Sequence, residues 1–261
     1  MGAGVIRVSF TDPGGTFRDH FSAAAPAYAA FRPRYPAALF TALARLAPGR
    51  ALAWDCATGS GQAALGLAEH FERVLATDAS ASQIGAALPH PRVTYHQATA
   101  DASGIATRSA DLVTVAQALH WLDRDAFYRE ARRVLVPGGV VAVWCYALLE
   151  IEPAVNDVLD AFYRDAVGPY WPPERALTET GYRTIAFPFD EAPLPPLWMT
   201  AEWTLAELCG YVRTWSAVLR HDAATGRDAV AGLLGALEPL WGPADRTRTV
   251  RWPLAVRVGR V

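Results

Sequence analysis

The sequence predicts an α/β fold in which helices cover both faces of a doubly wound, mostly parallel sheet. The first observation is that strand-like and helix-like segments alternate from about residue 51 to residue 145, a pattern that favours right-handed crossovers between parallel strands. The second is a glycine-rich turn, Gly59-Ser60-Gly61, between the first strand and the next helix, where backbone can approach a ligand closely. The third is the length of 261 residues, which suits one large domain with a modest cap.

Turn residues and hydrophobic periodicity define the individual elements. A first helix starts at Pro36 and is stopped by Pro48-Gly49. The core elements that follow are predicted, in chain order, at 51–56 (strand), 62–71 (helix), 73–77 (strand), 80–88 (helix), 92–96 (strand), 111–116 (strand), 123–135 (helix) and 140–145 (strand). Beyond residue 150, where Pro and Trp become frequent, helices are predicted near 153–167, 205–219 and 229–240, and a last strand or strand pair over 247–258.

This pattern divides the chain into four parts. They are an N-terminal lid with the first helix (1–48), a cofactor-binding α/β core (49–150), a helical Trp- and Pro-rich substrate cap (151–245) and the final strand of the core sheet (246–261). The cap is thus expected as an insertion before the last strand.

Composition excludes several classes of function. All 24 basic residues are arginine, so no lysine can serve as a Schiff base or general base. The net charge of −2 leaves no basic stripe for nucleic acid. The three cysteines lie far apart with no zinc spacing, so neither a metal site nor a disulfide framework is expected. The longest apolar run, 139–149, is too short to span a bilayer, and the N-terminus has no apolar signal core, so a cytoplasmic protein is expected.

Two acidic residues flank the glycine loop and indicate what it binds. Gly59, Gly61 and a later Asp78 also fit the dinucleotide fingerprint. Asp55, however, puts a carboxylate at the mouth of the loop, which disfavours a pyrophosphate and favours a cationic ligand. S-adenosylmethionine is such a ligand, with a sulfonium, an ammonium and no phosphate. Asp78 would take the ribose hydroxyls in either case; the plainer alternative makes both acids helix caps.

Four motifs occur in a fixed order between residues 50 and 145. They are Asp55-x-Ala57-x-Gly59-x-Gly61, Asp78, Asp111-Leu-Val, and Val134-Leu-Val-Pro137-Gly138-Gly139. This order resembles that of class I S-adenosylmethionine-dependent methyltransferases. Three more segments are similar to a small-molecule subgroup that includes trans-aconitate methyltransferase-like proteins: Tyr28 to Pro36, Gln117-Ala-Leu-His120-Trp121, and Trp203 to Ser216. One departure is Ala57, which replaces the first glycine of the loop and would be strained at positive φ.

The resemblance implies a Rossmann-like sheet of seven strands with an antiparallel last strand, and S-adenosyl-L-methionine as the cofactor. The implied cofactor contacts are Tyr28 and Arg32 from a lid, Asp55, Ala57, Gly59 and Gly61 around the methionine moiety, Asp78 on the ribose, Ala79, Ala100 and Asp101 around the adenine, and Gln117 under the methionine end. Arg32 is a candidate partner of the cofactor carboxylate. Arg34 is nearly as good a candidate, and an ordinary surface arginine is the alternative.

Methyl transfer from a sulfonium mainly requires alignment of the reactants and exclusion of water. His120 follows the fourth strand and is the candidate base; an equal alternative makes it a hydrogen-bonding wall residue, and a carboxylate acceptor would need no base. Trp121, Trp171 and Trp198 are candidates for substrate binding, with core packing as their alternative. Trp203 and Trp215 are predicted to fill the seam between cap and core.

The function predicted from these residues is methyl transfer to a small organic molecule, as O-methylation with a carboxylate as one candidate acceptor. The alternatives are an NAD(P)-dependent oxidoreductase using the same loop and a non-catalytic cofactor-binding protein. Gln117-Ala-Leu-His120 stands where base and amide N-methyltransferases have Asn/Asp-Pro-Pro-Tyr, which argues against nucleic-acid substrates. The expected partners are therefore a small-molecule acceptor, no nucleic acid, no membrane, and at most a weak homodimer.

Overall fold

A computed structural model describes residues 33–261 of the chain. Tyr28 and Arg32, the two expected lid contacts, lie outside the described residues. The described strands are β1 (Leu52–Cys56), β2 (Arg73–Asp78), β3 (Val93–Gln97), β4 (Ala110–Ala116), β5 (Leu135–Tyr146), β6 (Asp190–Glu191), β7 (Leu197–Trp203) and β8 (Arg248–Arg260).

Helices separate most of these strands. They are α1 (Ala37–Leu46), α2 (Gln62–Ala68), α3 (Ala81–Gly85), α4 (Arg124–Val134), α5 (Pro153–Ala161), α6 (Arg175–Glu179), α7 (Leu205–Arg213), α8 (Ser216–Thr225) and α9 (Ala229–Trp241). A π-helical turn, Phe162–Ala166, continues α5, and short 3₁₀ turns form at Leu119–Trp121 and Gly168–Tyr170.

The strands form one sheet in the order β3-β2-β1-β4-β5-β8, with β6 and β7 along the outer edge of β8. Strands β1 to β5 are parallel, whereas β8 runs antiparallel to β5. The predicted doubly wound α/β class with an antiparallel last strand is confirmed. The 247–258 segment is one long strand and not a strand pair.

Within the described residues the sheet has eight strands, one more than predicted, because two short strands share its last position. Residues 190–191 pair with one end of β8 and residues 197–203 with the other end. The predicted helical cap therefore contains two strands. The signal of the longer one, β7, is the alternation of buried Leu197 and Met199 with exposed Trp198 and Thr200, which the preceding prolines obscured.

Two hydrophobic cores cover the two faces of the sheet. Alternate residues of β5 divide between them: Val140, Ala142 and Trp144 face one core, and Val141, Val143 and Cys145 face the other. Helices α1, α2, α5, α7 and α9 pack in the first core, and α4 with the segment 182–189 packs in the second. A central strand buried on both faces is what a parallel sheet between two helical layers requires.

The predicted helix over 205–219 is broken near its middle. Thr204 and Glu207 form a capping box that starts α7. That helix ends at Arg213, and α8 starts after Trp215, whose ψ of 133° is extended. The prediction of one helix is wrong here, because periodicity continues across a two-residue turn. This turn places Thr214 and Trp215 beside the site described below.

No helix among residues 33–261 is both long and apolar enough to cross a bilayer.

Candidate active site

The loop after β1 takes the left-handed conformation at three alternate residues: Ala57 (φ +53°), Gly59 (φ +57°) and Gly61 (φ +87°). A Cβ atom on Gly61 would lie 2.3 Å from Tyr95 Oη, so both the backbone and the space at this position require glycine. Ala57 therefore has the positive φ at which an alanine is strained. An alanine in this region costs about 1–2 kcal/mol.

Asp55 lies beneath the loop and not at its mouth. The side chain is fully buried. Its carboxylate accepts hydrogen bonds from Thr58 Oγ1 at 2.5 Å and Thr114 Oγ1 at 2.8 Å. Burial raises the pKa of Asp55 to about 6, against the opposing effect of these hydrogen bonds. The structure therefore does not bring Asp55 to the cleft as a direct ligand contact: it joins the loop to β4.

Asp78 ends β2 and lies at the cleft surface. Its Oδ2 atom accepts a hydrogen bond from the Gly59 N–H at 2.8 Å, and its Oδ1 atom accepts one from the Ser80 N–H at 2.9 Å. Ser80 in turn caps α3 through its side chain. Asp78 thus connects the glycine loop with the start of the next helix while its carboxyl group lines the cleft.

A cleft of about 1360 Å³ lies along the carboxyl ends of β1 to β4. Most of the expected cofactor contacts line it: Ala57, Gly59, Asp78, Ala79, Ala100, Asp101 and Gln117. Arg34 lines it as well, whereas Asp55 and Gly61 are not on its surface. Strand order reverses between β1 and β4, and such a switch point is where open α/β sheets bind ligands.

Gln117 lies where the cleft meets a second, smaller pocket. It follows β4 with a left-handed backbone, φ +54°. Its side chain makes two bonds to the backbone of Tyr146: Nε2 donates to the carbonyl at 3.2 Å, and Oε1 accepts from the N–H at 2.9 Å. The amide is therefore fixed across the ends of β4 and β5.

The second pocket has a volume of about 90 Å³ and aromatic walls. Its lining residues include His120, Trp121, Trp171, Arg175, Tyr211 and Trp215, and it shares Gln117, Trp121, Tyr146 and Pro172 with the large cleft. The shared residues make the pocket a side chamber of the cleft. A reacting group bound there would lie next to the cofactor-sized cavity.

The predictions for His120 and for five tryptophans have different outcomes. His120, Trp121 and Trp171, named as substrate residues, all line it. Trp198 does not: it lies on β7 opposite Pro253 and is 42% exposed. Trp215, expected in the cap–core seam, is buried there and also forms a pocket wall. Trp203, the other seam residue, packs against Trp252 and Tyr211.

His120 is held as a neutral ring. Its Nδ1 atom is 2.8 Å from the hydroxyl of Tyr182, a fully buried residue. Burial, with a smaller effect from the Arg175 charge, lowers the pKa of His120 to about 4. Burial also raises the pKa of Tyr182 well above its usual value, so the phenol stays protonated. The pair is uncharged at neutral pH.

Arg175 is the site residue that sequence reasoning missed. It starts α6 just after the Trp171-Pro-Pro segment, in a region with no strand-end pattern to mark it. Its Nε atom donates to Tyr163 Oη at 2.7 Å. The guanidinium carbon lies 4.8 Å from the centre of the Trp171 ring and 5.4 Å from that of Tyr163, which are cation–π distances.

Within residues 33–261, no three His, Cys, Asp or Glu side chains are grouped closely enough to hold a metal ion.

The fold, the left-handed glycine loop and the cleft at the switch point are those of a class I S-adenosylmethionine-dependent methyltransferase. Comparisons with known proteins agree. The methyltransferase domain family matches residues 54–143. A methyltransferase of Dictyostelium discoideum is 31% identical over 219 residues, which are 82% of this chain and 83% of that protein. The chain belongs to the methyltransferase family.

Structural similarity extends over most of the chain. A solved structure described as a type II methyltransferase from Anaeromyxobacter dehalogenans has a TM-score of 0.85 and 49% identity, covering 88% of this chain and 98% of that one. A methyltransferase of Aspergillus candidus is 33% identical over 175 residues, which are 59% of this chain and 51% of that protein. These similarities do not favour an oxidoreductase or a non-catalytic binding protein.

Proposed function

We propose that the protein transfers a methyl group from S-adenosylmethionine to a carboxylate oxygen of a small organic molecule. The observation that carries this proposal is the lack of an effective base in the side pocket. Among the described lining residues there is no Asp, Glu or Lys. The one imidazole, His120, has a pKa of about 4. A hydroxyl acceptor would need a stronger base, whereas a carboxylate is already ionised at neutral pH.

The described residues fit the proposed cofactor. Gly59 exposes backbone at the cleft, and the tight contact of Gly61 with Tyr95 keeps the loop close to β3. The Asp78 carboxyl group and Ala79 line the cleft; in the proposed complex Asp78 would accept hydrogen bonds from the ribose hydroxyls and the small Ala79 side chain would leave room for a flat base. When bound, the cofactor supplies a methyl group already activated by a sulfonium.

The remaining work of the protein is alignment and exclusion of water. The double hydrogen bond between Gln117 and Tyr146 fixes the wall between cleft and pocket. Trp121, Trp171 and Trp215 surround the acceptor with apolar surface. In such surroundings a carboxylate loses part of its hydration, which increases its reactivity toward a neighbouring electrophile. No proton has to move for the new C–O bond to form.

Two measurements test the proposed function. In calorimetric titrations we expect S-adenosylhomocysteine to bind and NAD not to bind; binding of NAD alone would indicate an oxidoreductase instead. In turnover assays with S-adenosylmethionine, matched pairs such as benzoate and benzyl alcohol are compared by mass spectrometry. Methyl esters are the expected products. Methylation of alcohols or amines without any ester would refute a carboxylate acceptor.

A further inference from the structure

Among the described residues lining the side pocket, Arg175 carries a positive charge and makes no direct ion pair. We propose that Arg175 is the specificity-determining residue for the acceptor, which it binds through a carboxylate held against the aromatic walls of the side pocket. This inference rests on the proposed function and adds the residue that recognises the substrate.

The first step of the argument is the hydrogen bonding of Arg175. Within the described residues its guanidinium makes one hydrogen bond, from Nε to Tyr163 Oη at 2.7 Å. Neither terminal nitrogen of the group has a hydrogen-bond partner in that part of the chain. An arginine so placed presents a pair of donors in a fixed plane, which matches the two oxygens of a carboxylate.

The second step is that Arg175 makes no direct ion pair within the described residues. Glu179, the acid of the same helix, accepts the hydrogen bond of the Tyr163 hydroxyl to which Arg175 Nε donates, so its carboxylate faces Nε through that hydroxyl and leaves the terminal nitrogens open. No acidic side chain is among the described residues lining the pocket. The open side of a partly buried guanidinium favours an anionic ligand.

The third step is the rigidity of the guanidinium. Trp171 and Tyr163 both lie within cation–π distance of it, and the indole of Trp171 also packs on Tyr163 with ring centres 4.9 Å apart. Stacking on these rings restricts the rotamers of Arg175 before a ligand binds. Less side-chain entropy is then lost on binding, which strengthens the interaction.

His120 is placed to supply a second donor. Its Nδ1 atom lies 2.8 Å from the Tyr182 hydroxyl. In the tautomer that accepts the hydroxyl proton at Nδ1, the proton of the neutral ring is on Nε2 and serves the pocket as a hydrogen-bond donor.

The chemistry of the transfer explains release of the product. The carboxylate oxygen forms a bond to the methyl carbon while the C–S bond breaks, and its electron pair stays on sulfur. The sulfonium becomes a neutral thioether, and the carboxylate becomes a neutral ester with no proton transferred. The ester cannot form an ion pair with Arg175, so the product binds more weakly than the substrate.

The test compares an acid with its isosteric neutral amide. Protein loaded with S-adenosylhomocysteine is titrated by calorimetry with benzoate and benzamide, and with phenylacetate and phenylacetamide. We expect the wild type to bind at least one acid about tenfold or more tightly than its amide. Arg175→Gln should remove that preference. Arg175→Lys, which keeps the charge but not the planar pair of donors, should keep part of it.

Arg164→Gln is the matched control, because Arg164 is an exposed arginine paired with Asp160 on the neighbouring helical segment. It should leave the acid preference unchanged. The inference is overturned if neither acid binds more tightly than its amide, or if Arg175→Gln keeps the preference. Failure of the proposed function looks different: turnover assays then give methylated alcohols or amines and no methyl ester. Unaltered S-adenosylhomocysteine binding by Arg175→Gln shows that the variant is folded.

Discussion

Replacing Ala57 with glycine should stabilise the protein, although glycine usually destabilises. Ala57 has φ +53° in the loop after β1. Relief of the left-handed strain contributes about 1–2 kcal/mol. The greater backbone entropy of glycine in the unfolded chain removes about 0.5–1 kcal/mol of this gain. We therefore expect Ala57→Gly to raise the free energy of unfolding by about 1 kcal/mol.

Urea unfolding at pH 7 measures this change, and a matched control variant gives the comparison. Ala223→Gly places the same mutation in the exposed part of α8, where φ is helical. It should lower the free energy of unfolding by about 0.5–1 kcal/mol. For a domain of this size, a gain of about 1 kcal/mol for Ala57→Gly corresponds to a rise in Tm of roughly 2 °C. A loss of stability equal to that of Ala223→Gly would refute the strain argument.

Three other changes test the loop, its supporting acid and the pocket. Asp78→Ala should weaken S-adenosylhomocysteine binding by about 2–3 kcal/mol in calorimetry, because charge-assisted hydrogen bonds are lost; equal affinity would mean that the ribose lies elsewhere. Asp55 has a folded pKa of about 6 against an ordinary value of 3.8, so the folded state binds more protons between those values. The free energy of unfolding should therefore fall by about 2–3 kcal/mol as pH rises through that window and stay low above it; Asp55→Asn should flatten this dependence in urea titrations. Because the pKa of His120 is about 4, kcat with a carboxylate acceptor should not change between about pH 6 and 9; an inflection near pH 7 would contradict the absence of a base.

Much of the fold was predictable because its signals are local. Periodicity located the strands from β1 to β4, and turn residues such as Pro48 and Gly49 marked where a helix stops. The strand β7 was missed because three prolines precede it and its partner, β8, is about fifty residues later in the chain. A strand that depends on a distant partner has little local signature.

The site residues that lie at the ends of strands were predictable from the sequence. Gly59, Asp78 and Gln117 lie at or just after the ends of parallel strands, and the carboxyl ends of such strands meet at one edge of a sheet, so their positions in the sequence are informative. Asp55 belongs to the motif of the glycine loop. Its role, however, depends on the hydroxyl groups of Thr58 and Thr114, which only the packed structure brings together. The role of Arg175 likewise depends on packed contacts, with Tyr163 and Trp171, and sequence spacing does not reveal them.

The regiochemistry of methylation tests the carboxylate proposal most directly. An acceptor with both kinds of oxygen, 4-hydroxybenzoate, is incubated with the protein and S-adenosylmethionine carrying a ¹³C-labelled methyl group. Product identity is read by mass spectrometry and NMR, and proton release by a pH indicator. We expect the methyl ester with no proton released for each S-adenosylhomocysteine formed. The 4-methoxy acid, with one proton released per turnover, would contradict it.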